Sequence, residues 1–139
     1  MLRACNVARP YRSIAVLNAN VPAWFEIPTE DLDRAQRFYE SVLEQPLRRE
    51  NFGGTHIAVF PYGGRPNASG ALIAMEDCLP SVQGSIVYLS VDDLRPVLDR
   101  AVNNGGDTLV PRTALPGDMG FFAQFRDCEG NRVGLWSQR

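Results

Sequence analysis

Few side chains in this 139-residue sequence can do covalent, metal or acid–base chemistry, and their spacing excludes more than it offers. His56 is the single histidine, so a site needing two or three imidazoles cannot be assembled within one chain. Cys5, Cys78 and Cys128 show no Cys-x-x-Cys spacing. They read as free thiols in a reducing cytoplasm rather than as a disulfide framework or zinc knuckle. All 14 basic residues are arginine, which removes Schiff-base lysines and the phosphate-binding lysine of Walker loops. Ser13, Ser41, Ser69 and Ser85 lack the turn context of a nucleophilic serine. Asp92-Asp93, Glu76-Asp77 and Glu129 fall at an expected helix start or in turns and read as solvated charges. Glu26 is different: it sits inside an apolar strand, where desolvation would suit it to general acid or base work or to anchoring a bound polar group, the alternative being a glutamate paired with an arginine at the sheet edge. His56 opens a strand beside Gly53-Gly54 and reads as a surface or hydrogen-bonded residue before it reads as a site residue.

The elements that must position these groups belong to an ordinary globular chain. With 45% apolar and 22% charged residues the sequence is neither disordered nor fibrous, and its length fits one domain. A net charge of −2 carries no electrostatic footprint for nucleic acid, and no apolar run reaches the ~18 residues of a membrane span. Residues 1–20 carry Arg3, Arg9 and Arg12 but no acid and no amphipathic helix, and they read as an untargeted extension. The organised domain is expected over residues 21–139, in the cytoplasm.

That domain contains a repeat. Trp24-Phe-Glu-Ile-Pro-Thr-Glu-Asp31-Leu32 matches Ile86-Val-Tyr-Leu-Ser-Val-Asp-Asp93-Leu94, in each case an apolar strand, an Asp and a helical pattern. Leu32, Ala35, Tyr39 and Val42 recur at helical spacing behind Asp31. Leu94, Val97, Leu98 and Ala101 do so behind Asp93, before an Asn104-Gly105-Gly106 stop. Strands are expected at His56–Phe60 and Ala71–Met75 in the first half. In the second they are expected at Thr108–Val110, Gly120–Phe125 and Arg132–Trp136, the last two joined by the Asp127-Cys-Glu-Gly130 turn. Each half reads β-α-β-β-β and is too small to bury a good core alone, so paired halves sharing one sheet are expected. The modules should span about 21–80 and 83–139.

These features resemble the vicinal oxygen chelate superfamily, which includes glyoxalase I, extradiol dioxygenases and bleomycin-resistance proteins. Asp31-Leu-Asp-Arg-Ala-Gln-Arg-Phe38-Tyr39 is similar to that family's D-L-x-x-A-x-x-F-Y helix. Phe125-Arg-Asp127-Cys-Glu-Gly130-Asn131 is similar to its F-x-D-P-x-G-N turn, with Cys128 in place of proline. The resemblance spans about Pro22 to Ser137 and implies an α+β fold. Two tandem β-α-β-β-β modules would form a half-barrel sheet around a cleft. It also implies four metal-ligand positions, which fall on Trp24, Ile86, Leu72 and Gly134. None of these side chains can ligate a divalent cation, so no metal and no cofactor are expected.

Strand alternation supplies the expected contents of the cleft. With Phe25 and Ile27 toward the helix, Trp24, Glu26, Ile86, Tyr88 and Ser90 point the other way, joined by Leu72, Ala74, Gly134 and Trp136. Alternation leaves open which face of its strand Gln124 takes, and it stays a candidate beside His56. The resemblance implies that the turn-rich segment Thr113–Gly120 borders the cleft mouth, where it reads as a lid or an ordinary connection. The resulting expectation is a homodimeric, metal-independent protein of the bleomycin-resistance type that binds a small, partly aromatic molecule in an apolar cleft. Its rivals are a glyoxalase-like lyase or isomerase using Glu26 or an unrecognised metal site, and a structural dimer whose two tryptophans merely fill the cleft.

Overall fold

Asp31 and Asp93 each start a helix in the computed structural model, which describes residues 21–64 and 68–139. The expected extension over residues 1–20 lies outside the described residues. Helix α1 (Leu32–Leu43) is capped by Asp31, whose carboxylate accepts the Arg34 N–H at 2.9 Å. Helix α2 (Leu94–Asn103) is capped by Asp93 in the same way, through the Arg95 N–H at 3.0 Å. It ends as the sequence predicts: Gly105 takes φ +99°, and Gly106 donates its N–H back to the Ala101 carbonyl. The apolar stripes face inward, burying Ala35, Phe38, Tyr39 and Val42 from α1 and Leu94, Val97 and Ala101 from α2.

Each helix sits within a β-α-β-β-β module. The first contains β1 (Trp24–Pro28), β2 (Arg48–Phe52), β3 (Thr55–Val59) and β4 (Ser69–Ile73) in the order β1-β4-β3-β2. The second repeats it with β5 (Val87–Ser90), β6 (Asp107–Ala114), β7 (Phe121–Arg126) and β8 (Arg132–Ser137) in the order β5-β8-β7-β6. In both, the outer pair β1–β4 or β5–β8 is parallel and the remaining pairs are antiparallel. The duplication is therefore real at the level of topology.

The halves join differently from the expectation of one shared sheet. Each sheet is hydrogen-bonded separately, and a common apolar core links them: Ile27, Ala58 and Leu72 from the first sheet, Ala123, Phe125, Val133 and Leu135 from the second, and the stripes of both helices. Burying such side chains stabilises a fold by about 1.5–3 kcal/mol each, so this core is what makes two marginal modules one unit. Arg100 adds a polar tie by donating to the Val42 carbonyl at 2.8 Å.

The two motifs that carry the family resemblance meet in this junction. Tyr39, fully buried, donates its hydroxyl to Asp127 at 2.6 Å. Asp127 also accepts the backbone N–H groups of Glu129, Gly130 and Asn131, each at 2.9 Å, and the Asn131 amide at 3.0 Å. Asn131 reaches on to the Pro28 carbonyl at 2.8 Å. Glu129, expected to be a solvated turn charge, is enclosed instead: it pairs with Arg34 at 2.8 Å and accepts the N–H groups of Glu30 and Asp31. A turn of the second module thus caps the first helix. Cys128 lies among these carboxylates, and burial together with Asp127 and Glu129 pushes its thiol up to about 12, which disfavours the thiolate.

Glu129 gives the junction a pH dependence. Burial alone would raise its pKa, but Arg34 and the two backbone N–H groups outweigh that and hold it below the ordinary 4.5. A carboxylate depressed in the folded state stabilises fully above its ordinary value and loses that contribution as pH falls through the depressed one. Glu129→Gln should therefore lower the melting temperature at neutral pH, and the gap to the parent should close below pH 4.5. Calorimetry across that range checks this, and a gap independent of pH would contradict it.

Candidate functional site

The face of the second sheet turned away from the helices carries a cavity with aromatic walls. Alternation along β5, β7 and β8 sends Phe125, Val133 and Leu135 into the core and leaves Tyr88, Phe122, Gln124, Arg132, Gly134 and Trp136 on the opposite face. Tyr88, Leu115, Phe122 and Trp136 line a cavity of about 300 Å³. Tyr88 and Phe122 meet edge to face with ring centroids 6.3 Å apart. The Trp136 indole N–H donates to the Met119 carbonyl at 2.8 Å, which fixes the ring as a wall.

Two glycines make this surface possible. A Cβ on Gly134 would stand 2.3 Å from a Tyr88 ring carbon, so glycine lets the phenol ring lie against β8. Gly120 takes φ +85°, and a Cβ there would sit 2.4 Å from the Ser137 carbonyl oxygen. The segment read as a lid or a connection is a bound wall. Strand β6 runs through its first part to Ala114, with register shifts around Pro111, and the Leu115 N–H closes the rest onto the Gly120 carbonyl at 2.9 Å.

A polar row runs along the same face. Arg132 Nη1 donates to Gln124 Oε1 at 2.8 Å, and Gln124 Nε2 donates to the Tyr88 hydroxyl oxygen at 2.5 Å. Arg132 is itself held by the Val82 carbonyl at 3.3 Å. Gln124 is buried, whereas Tyr88 stays 44% exposed. Gln124, whose face the sequence left open, therefore belongs to the candidate site. Phe122, Leu115 and Arg132 were missed. The β7–β8 hairpin centres on Glu129, the midpoint of Asp127–Asn131, and that register puts Phe122 opposite Trp136.

The other candidates are spread over the molecule. Trp24 stands 45% exposed on β1 and does not line the aromatic cavity. Ile86 lies in a neighbouring depression between the modules, which it shares with Phe25, Leu43, Phe60 and one side of Tyr88. Glu26 is exposed rather than desolvated, and among the described residues it makes no ion pair, so the premise for casting it as an acid–base group is missing. His56 is exposed near the start of α1, beside Asp33 and Arg49, away from the aromatic walls.

Leu72 requires a correction. It is fully buried in the helix-side core, paired with Ile27, just as Leu135 pairs with Leu89. The last strand of the second module therefore runs one residue further from its helix than that of the first, and Ala71 rather than Leu72 is the equivalent of Gly134. In the first module this cleft-side face is closed: Ile57, Val59, Ala71 and Ile73 form a small second core with Cys78 against it. The cavity walled by Tyr88, Phe122 and Trp136 lies on the second module.

The family's metal positions thus hold Trp24, Ile86, Ala71 and Gly134, none with a donor side chain. Among the described residues no group of three or more His, Cys, Asp or Glu is placed to hold a metal ion. At Gly134 the space of a ligand side chain is taken by the Tyr88 ring. These residues do not fit a divalent cation.

Comparison with known proteins agrees with this fold. Residues 22–135 match the model of the Glyoxalase/Bleomycin resistance protein/Dioxygenase superfamily. CFP32 of Mycobacterium bovis, which carries the name of a glyoxylase, is 30% identical over 122 residues, covering 83% of this chain. The chain spans less than half of that relative's length, 44%. Among solved structures, a glyoxalase/bleomycin resistance protein from Streptomyces sp. CB03234 superposes with a TM-score of 0.64 at 24% identity, covering 83% of this chain and 98% of its own. TnmS3, an antibiotic binding protein from the same source, gives 0.61 at 22% identity, with 82% and 92% covered. At this identity both report the shared fold alone. On its repeated modules, its two motifs and the match over residues 22–135, the chain belongs to the Glyoxalase/Bleomycin resistance protein/Dioxygenase superfamily.

Proposed function

We propose that this chain is a metal-independent binding protein that holds a flat, partly aromatic small molecule against Tyr88, Phe122 and Trp136. The observation carrying this reading is the aromatic cavity itself. It lies on the face of the second sheet turned away from the helices, and the Tyr88 ring takes the space that a metal-donor side chain at position 134 would need. Ligand pockets are mostly apolar and aromatic with a few placed polar groups, which describes this surface. A family neighbour named as an antibiotic binding protein lends the reading support. The rival reading of a lyase or isomerase lacks a positioned base, because Glu26 is exposed and outside the cavity. A filled cleft also fits poorly, since Trp136 belongs to neither cluster of buried side chains.

Calorimetric titration with fluorene, a rigid planar aromatic, tests the reading: saturable binding is expected at one site per chain. Elemental analysis of the purified protein should find no stoichiometric Zn, Ni, Mn or Fe, and chelator treatment should leave the melting temperature unchanged. About one metal ion per chain would refute metal independence.

We further propose a homodimer. Strands β1 and β5 are edge strands of their sheets, and both carry or adjoin exposed apolar side chains, Trp24 at 45% and Ile86 at 40%. Unpaired apolar edges of this kind invite pairing with another chain. Sedimentation equilibrium should give twice the 15.4 kDa chain mass; a monomer at micromolar concentration would reject it.

A further inference from the structure

We propose that Tyr88 is a directed hydrogen-bond donor that selects flat ligands bearing an acceptor oxygen conjugated to the ring system, an aryl carbonyl, and that Arg132 and Gln124 set the direction of that donation. The proposal rests on the reading of the aromatic cavity as a ligand site and names the class of ligand it prefers.

The direction follows from what each group can do. A guanidinium only donates, so the Gln124 atom 2.8 Å from Arg132 Nη1 must be the amide oxygen. The Gln124 NH₂ group then has to point the other way, and it lies 2.5 Å from the Tyr88 hydroxyl oxygen. An amide NH₂ also only donates, so Tyr88 must accept there and cannot turn its own proton toward Gln124. Among the described residues, the Tyr88 hydroxyl makes no second hydrogen bond. A phenolic O–H lies near the plane of its ring, so the proton is left on the side away from Gln124. Tyr88 is 44% exposed, and its ring shares the cavity wall with Leu115, Phe122 and Trp136.

The row is held at its Arg132 end and at its centre. Arg132 is anchored by the Val82 carbonyl, and Gln124 is buried within the sheet, so the relay does not reorganise freely. An apolar surface with one oriented donor rewards an acceptor at the edge of a stacked ring system and gives nothing extra to a bare hydrocarbon. A conjugated carbonyl fits because its oxygen lies in the ring plane, within reach of a donor at the rim of the stacking surface.

The test compares fluorenone with fluorene, which share a planar skeleton and differ in the carbonyl, by calorimetric titration of the full chain. The parent should bind fluorenone roughly three- to tenfold more tightly, the effect of one hydrogen bond. Tyr88→Phe, which keeps the ring and removes the hydroxyl, should bring the ratio of the two affinities to about one. Gln124→Glu should also abolish the preference, because its carboxylate accepts from both Arg132 and Tyr88 and draws the phenol proton away from the cavity. As an independent signature, the fluorenone carbonyl stretch should shift to lower frequency on binding the parent but not on binding either variant.

Equal binding of the two probes by the parent, or a preference that survives Tyr88→Phe, would overturn the proposal and leave the cavity as a ligand site. A preference lost in Tyr88→Phe but kept in Gln124→Glu would overturn the relay. Failure of both probes to bind would overturn the ligand-site reading and this proposal with it.

Discussion

Asp127→Ala is expected to cost the protein roughly 3–5 kcal/mol of stability, seen as a lower urea midpoint with an unchanged slope. Asp127 is 3% exposed and accepts hydrogen bonds from Tyr39, from three successive backbone N–H groups and from Asn131. Truncation to alanine strands the Tyr39 hydroxyl and the Glu129 and Asn131 N–H groups, since Gly130 N–H keeps the Asp127 carbonyl and the Asn131 amide keeps Pro28, and each buried donor left unpaired costs about 1–3 kcal/mol. Domains are stable by only about 5–15 kcal/mol, so the loss would be visible in any unfolding experiment. Tyr39→Phe removes one donor together with its need for a partner and should cost less, about 1 kcal/mol. The two changes should be less than additive, because the double variant no longer strands the phenol. A cost below about 1 kcal/mol for Asp127→Ala would mean that the turn refolds around the loss and does not hold the modules together.

That junction explains why the family resemblance was legible from two short motifs. The helix and turn patterns are not spread along the surface: Tyr39 of one bonds Asp127 of the other. The pair reports how the modules join and says nothing about chemistry. The helices were legible for the usual reason, apolar spacing behind a capping Asp. Strand β2 was not, because Arg48-Arg-Glu-Asn-Phe52 shows no clear apolar alternation and lies on the exposed outer edge. It is a strand because Gly53 and Gly54, both at positive φ, fold it back on β3, a turn signal present in the sequence but not used.

Leu72 was misplaced for a different physical reason. Every residue of β4 is buried, so the strand has no polar alternation to reveal which face is which. An offset taken from β1 and α1 then carried a one-residue error into β4, and one residue reverses the face. The tryptophans show the remaining limit. Alternation put Trp24 and Trp136 on the concave side, but a face is not a distance. Only Trp136 walls the cavity, while Trp24 stands at the open edge of the other sheet. Glu26 has the face it was expected to have and lacks the burial that would have made it chemical.

Trp136→Ala is therefore the substitution expected to separate binding from folding most cleanly. It should weaken fluorene binding by roughly 1–3 kcal/mol, the range for losing a desolvated aromatic anchor. The fold should survive, since the indole is outside both buried clusters and its N–H bond to Met119 is exposed. The stability cost should stay near the 0.5–1.5 kcal/mol of a single hydrogen bond plus a little apolar contact, about 1–2 kcal/mol in all. Phe125→Ala is the matched control on the opposite face of the same sheet. Phe125 is fully buried between the sheet and α1, so its truncation should cost about 3–5 kcal/mol. In Phe125→Ala any change in binding should follow only from loss of fold, so protein that remains folded should bind fluorene as the parent does. A Trp136→Ala variant that loses as much stability as Phe125→Ala would make the indole a core plug. Fluorene affinity unchanged in Trp136→Ala would remove the aromatic wall on which the binding reading stands.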